Sequence, residues 1–270
     1  MTDIDLEREG SEFYEYPDVT IEYRDASHRY WLLHGDQRIP AVSVTTALKV
    51  LDKPALLKWA EAAGAEGAAK LFAAGELADV HPSRAIDVVR INKMGMDATR
   101  DSGASRGTAV QPVREQWASD GPGPTLDAFP ADVRGYVQGL CSWLLEAQPQ
   151  PSSVERFVGS VAHSYAGRMD MRAVIDGRDC IVDLKTNPKG AVYDEAHLQA
   201  RAYALAEVEC GNPEPEGLVI VAVGEEGNYS TTESDADATD WLNVLACFRS
   251  MKRLEQLRNA RWREAQKAAA

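Results

Sequence analysis

Asp170, Asp183 and Lys185 are the residues whose types and spacing could do chemistry. Between the two aspartates runs "MRAVIDGRDCIV", with Asp176 and Gly177 at its centre. An Asp-Gly pair between apolar runs favours a two-residue hairpin turn, because both central residues need positive φ. With that turn, Ile175 faces Arg178, and Asp170 lies opposite Asp183 on the same face. Their Cβ atoms would then be roughly 4.5–5.5 Å apart. A four-residue loop over 176–179 would instead oppose Asp170 to Lys185, and a three-residue loop would break the alignment. Facing carboxylates need compensation, and Mg²⁺ or Mn²⁺ favours hard oxygen ligands of this kind. Strand alternation returns Lys185 to the same face, where its ammonium could orient a water or stabilise charge developing on a phosphate. The same charges, with Arg168 and Arg172, also suit a solvated hairpin face of surface ion pairs.

The flanking sequence supplies the elements that must hold these residues. The stretch "VTIEYRDASHRYWLLHG" has the β-branched and aromatic content of a hairpin, and "SVTTALKVLDKPALLKWAEAAGAEGAAKLFAAG" reads as helices stopping at Gly75. A further helical region runs to about residue 119, with a break expected at Pro112. In "ADVRGYVQGLCSWLLEA", Val133, Tyr136, Val137, Leu140, Trp143 and Leu144 recur at helical spacing. From Val154 the period becomes that of strands, in "VERFVGSV", "AGRMDMRAVI" and "DCIVDL". A helix around "DEAHLQARAYALAEVE", a buried strand "GLVIVAV" and an edge strand at "NYSTT" follow. The tail from Ser234 reads as one long helix whose apolar stripe is Trp241, Leu245, Phe248, Met251 and Leu254. The expected fold is α/β with element order αβββαβ: a mixed central sheet flanked by helices, a helical N-terminal region and a long C-terminal helix. The divisions are a hairpin and helical lead-in over 1–103, a core over 104–233 and the terminal helix over 234–270.

The order "GRMD", twelve residues, "DLKT" and then "LQARAY" resembles the core of the PD-(D/E)XK nuclease superfamily, in its RecB-like and phage-type exonuclease branch. The resemblance covers about residues 104–225. It implies Asp170 and Asp183 as metal-binding carboxylates, the Leu184 carbonyl in the metal shell and Lys185 as the catalytic lysine. Gln199 and Tyr203 match the family's Q-x-x-x-Y, on one helical face, which implies catalytic residues that hold DNA phosphate or position Lys185. Their other reading is helix packing. Glu155 falls on the strand where the family often carries an acid, and a salt bridge to an arginine is its alternative role. Gln111 stands where RecB-like members carry a histidine metal ligand. That substitution leaves open a Mg²⁺ site without histidine, a weakened enzyme or a lost activity. Candidate phosphate contacts are Arg106, Arg168, Arg172 and the basic end of the last helix, where "MKRLEQLRNARWREAQK" carries six Lys/Arg against two Glu.

The implied activity is metal-dependent exonucleolytic hydrolysis of DNA in recombination or DNA processing, with an endonuclease or a non-cleaving nucleic-acid binder as alternatives. The implied partners are DNA ends, double- or single-stranded, and a recombinase or single-strand-annealing protein. The bulk composition sets the frame for this. At 270 residues, with 44% hydrophobic and 26% charged residues, the chain suits a soluble domain with a sizeable core. A net charge of −13 opposes non-specific coating of nucleic acid, so any DNA cleft must be locally basic. The four dispersed cysteines fit free thiols in a reducing cytoplasm, the host's if the protein is encoded by a phage. No apolar run approaches the roughly 20 residues that span a bilayer, and no membrane partner is expected.

Overall fold

The computed structural model describes residues 10–51, 54–92, 107, 110–119 and 125–269. Its first strands, β1 (Ser11–Glu15), β2 (Thr20–Arg24), β3 (Arg29–His34) and β4 (Gln37–Ser43), form an antiparallel meander. The single hairpin expected here is therefore the middle of four strands. Their alternate residues Ile21, Tyr23, Tyr30 and Leu32 are buried with Phe157 and Ala166, which makes the meander part of the main sheet.

The helices α1 (Val44–Ala47), α2 (Pro54–Ala73) and α3 (Ala85–Ile91) follow. Gly75, at φ +78°, closes the end of α2 as its position suggested. Residues 110–119 are helical (α4) and continue through Pro112, so the expected break is absent. The core then runs α5 (Arg134–Ala147), β5 (Gln150–Ser160), β6 (Tyr165–Ile175), β7 (Arg178–Thr186), α6 (Asp194–Glu209) and β8 (Gly217–Val223). Last come β9 (Tyr229–Glu233) and α7 (Ala238–Ala269). The fold is mixed α/β; among the described residues nine strands form one sheet that is antiparallel except where β4 meets β6 and β7 meets β8.

Helices cover both faces. Val110, Val113 and the apolar stripe of α5 pack on Met171, Ala173, Val182 and Val221. All six apolar residues expected to face inward from α5 are buried. The opposite face is covered by Ala200, Tyr203 and Ala204 of α6 and by Trp241, Leu245 and Phe248 of α7. The stripe of α7 ends there, because Met251 and Leu254 are exposed. At 32 residues, α7 is twice the length of the 16-residue α6 and outruns what it packs against. Among the described residues, no helix is long and apolar enough to cross a membrane.

Two features of β6 build the site. β5 pairs along nearly all of it, from Tyr165 to Val174, and so occupies one edge. β4 and β7 must share the other edge, β4 at Tyr165 and Ala166 and β7 from Met171 to Ile175. Asp170 lies in the fork between them. The alternation also changes phase there: Tyr165 and Met169 pack toward α6 and α7, whereas Met171 and Ala173 pack toward α5. An unbroken strand would keep these odd-numbered residues on one face.

Candidate active site

The β6–β7 turn consists of Asp176 and Gly177, at φ +50° and +79°, and Ile175 pairs with Arg178. This is the two-residue alternative, and its register runs to Met171 opposite Val182, one pair short of the two aspartates. Beyond that pair the ladder is continued by a side chain. Leu184 donates its backbone N–H to Asp170 Oδ2 at 2.7 Å.

Asp183 is wholly buried. Lys185 Nζ lies 2.6 Å from its Oδ2, yet among the described residues neither carboxylate oxygen has a hydrogen-bond partner in good alignment. Lys185 also donates to Gln199 Oε1 at 3.1 Å, and Gln199 Nε2 donates to the Tyr203 hydroxyl at 2.9 Å. Four-residue spacing on α6 produces that relay. Gly167 makes room for it, since a Cβ there would come within 2.7 Å of Tyr203 Cε1.

The two aspartates differ in charge environment. Burial pushes the Asp183 carboxyl up to about 6, with Asp170 adding to the rise and Lys185 opposing it. Burial would also raise Asp170, but Arg114, Lys185 and the Leu184 amide outweigh it and hold that carboxyl below its ordinary value. Burial, with both aspartates nearby, raises the Tyr203 hydroxyl well above its usual range and keeps it neutral.

Gln111, Glu155, Arg168, Asp170, Leu184, Gln199 and Tyr203 line one cleft of about 370 Å³. Glu155 sits in β5 at φ +53°, a left-handed conformation uncommon for a residue with a side chain. It pairs with Arg114 Nη2 and, at 3.0 Å, with Arg168 Nε. Gln111 turns its amide nitrogen to Glu115 Oε1 at 3.0 Å.

Arg172, expected as a phosphate contact, is not on a binding surface. It is buried, bonding Asp179 through Nε and Nη2 and Glu207 Oε2 through Nη1 at 2.7 Å. Glu207 is fully buried on α6 and also holds Arg156, so this cluster ties the sheet to the helix. Arg106 lies outside the described residues.

The residue that the sequence reading missed is Arg114. Its guanidinium is almost wholly buried and joins Asp170 Oδ1 at 2.8 Å to Glu155. Helical spacing from Gln111 puts Arg114 one turn on, toward the same cleft; that was the available signal.

No protein-family model matches the chain, and no curated protein does. Among solved structures, the chain is similar to one titled "Crystal structure of SSO0001", at 15% identity and a TM-score of 0.31. The match covers 54% of this chain and 74% of that one. A likeness at that score carries no argument about activity.

Among the described residues, no three His, Cys, Asp or Glu side chains converge as a ready-made metal cluster. A divalent cation nevertheless suits the donors that are present. Among the described residues, Asp183 has two buried oxygens whose one close partner is Lys185 Nζ, 2.6 Å from Oδ2, and the Asp170 carboxylate acts on it from nearby. Buried carboxylates so thinly compensated are costly, and a cation offsets that cost.

Proposed function

We propose that this chain is a metal-dependent deoxyribonuclease with a PD-(D/E)XK-type core, acting as an exonuclease. The observation that carries the reading is the Asp170, Asp183 and Lys185 set, with Lys185 between Asp183 at 2.6 Å and Gln199 at 3.1 Å. Asp170, Asp183 and the Leu184 carbonyl would hold Mg²⁺ or Mn²⁺; Asp170 and Leu184 line the cleft with Glu155 and Gln111, and Asp183 is buried outside that lining. Bound there, the cation would supply Lewis-acid charge to a phosphate oxygen and lower the pKa of an attacking water.

The chain's own groups do the rest. Tyr203 accepts from Gln199, which leaves the Gln199 carbonyl oxygen for Lys185 and fixes where the ammonium sits. A fixed cationic donor stabilises charge developing on a phosphate without reorganising during the reaction. Arg168, with its side chain 43% exposed at the cleft, is the described arginine best placed to meet the DNA backbone. Contacts of that type position DNA without reading its sequence.

A specific observation favours a second reading, a member that binds nucleic acid without cutting it. Gln111 is engaged with Glu115, and Arg114 already neutralises Asp170. One assay separates the readings: digestion of linear and circular DNA in Mg²⁺ and in Mn²⁺, with Lys185→Ala as control. Loss of linear DNA alone supports the exonuclease, and nicked circles indicate an endonuclease. Wild type as inert as Lys185→Ala in both metals removes the catalytic reading.

A further inference from the structure

Arg114 stands where a divalent ion would place its charge. Its Nη1 lies 2.8 Å from Asp170 Oδ1 and its Nη2 pairs with Glu155. Both carboxylates are thereby neutralised from within the chain. The arrangement is not a fully satisfied one. Among the described residues, Arg114 Nε is buried with no hydrogen-bond partner, and Glu155 holds its end of the pair from a left-handed backbone conformation. Buried donors are normally satisfied, and non-glycine residues in that region are costly.

We propose that Arg114 is a built-in competitor for the metal site: it holds Asp170 and Glu155 when no divalent ion is bound, and it must leave Asp170 for one to bind. This rests on the metal-dependent reading above and adds a control on it. The electrostatics run in one direction. A guanidinium and a divalent ion within a few ångströms repel strongly in a low-dielectric site, and Asp170 Oδ2 is already committed to the Leu184 amide. A carboxylate oxygen can take more than one partner, so what Arg114 and the ion contest at Oδ1 is the place of the positive charge beside it. Arg168, already 3.0 Å from Glu155, leaves that carboxylate paired when Arg114 moves away. Arg114 is accordingly a positioning residue and sets how much Mg²⁺ or Mn²⁺ the site demands.

The test is calorimetric titration of the metal-free full chain with MnCl₂, comparing wild type, Arg114→Met and Arg114→Lys. Removing the competing charge should tighten Mn²⁺ binding about tenfold or more, the scale set by like-charge repulsion at such distances. Arg114→Lys keeps the charge but not the fork that spans Asp170 and Glu155, so it should tighten Mn²⁺ binding less than Arg114→Met does. In thermal melts, Arg114→Met should be less stable than wild type in EDTA and gain more from Mn²⁺, as ligand linkage requires. If Arg114→Met does not fold without metal, Arg114→Gln takes its place, because its amide can still bond one carboxylate. Equal or weaker Mn²⁺ binding by the charge-removing variant overturns this inference alone, since Arg114 would then support the site. Absence of Mn²⁺ binding by every protein removes the metal site, and with it the reading on which the inference rests.

Discussion

Leu184 N–H donates to Asp170 Oδ2 across the open end of the β6–β7 hairpin, and this bond makes the two aspartates unequal. Asp170 has a backbone donor and the Arg114 guanidinium, while Asp183 has the Lys185 ammonium beside it and the weaker effect of Arg114. One carboxylate is held ionised and the other is pushed toward its protonated form.

The stability consequence has a definite sign. The folded state binds the Asp183 proton up to about pH 6, whereas the ordinary value is 3.8. Its contribution is fully present below 3.8 and is lost as pH rises through about 6. Asp170 acts oppositely: its contribution is present above its ordinary value and lost as pH falls. In EDTA, Asp183→Asn should therefore be more stable than wild type at pH 8, by about 1–2 kcal/mol, with the gain shrinking toward pH 5. Urea denaturation at the two pH values measures this, and a gain independent of pH would contradict it.

Gln199 and Tyr203 should act through Lys185. Tyr203→Phe removes the acceptor for Gln199 Nε2 and should cost about 1 kcal/mol of stability, with cleavage slowed about three- to tenfold. Gln199→Ala leaves Lys185 with Asp183 alone and should slow cleavage by about 10–100-fold while DNA binding holds. Single-turnover rates beside binding titrations make the distinction. Loss of binding in step with rate would place Gln199 on the DNA instead.

Arg172 and Arg168 should separate stability from binding. Arg172→Met leaves Asp179 and the buried Glu207 short of their partner and should destabilise the fold by about 3 kcal/mol. DNA affinity of the folded protein should not change. Arg168→Ala should do the reverse, lowering affinity and flattening its salt dependence by about one charge. Melting curves and DNA titrations at several salt concentrations check both variants.

Gly167→Ala probes the packing behind the relay. Its Cβ would meet Tyr203 Cε1 at 2.7 Å and Val44 Cγ2 at 3.4 Å, so the ring must shift. A loss of about 1–3 kcal/mol is expected, together with slower cleavage. In a Tyr203→Ala background, itself less stable, Gly167→Ala should cost less than in wild type, as a double-mutant cycle would show.

The amino-acid sequence by itself determined the features that rest on local geometry. Asp176 and Gly177 turn the hairpin because both adopt positive φ, and that turn alone sets which residues of β6 and β7 face each other. Gln199 and Tyr203 share a face because helical spacing requires it, and the six apolar residues of α5 are inside for the same reason. Only the tertiary structure decided the rest. Arg172 looked like a surface charge until Glu207 arrived from α6, 35 residues later, to bury it. Arg114 reached Glu155 from 41 residues away, because Val110 and Val113 dock α4 against the sheet. The buried stripe of α7 stopped at Phe248, with Met251 and Leu254 exposed among the described residues. Periodicity tells which side of an element faces inward, but which charge it meets there depends on how distant elements pack.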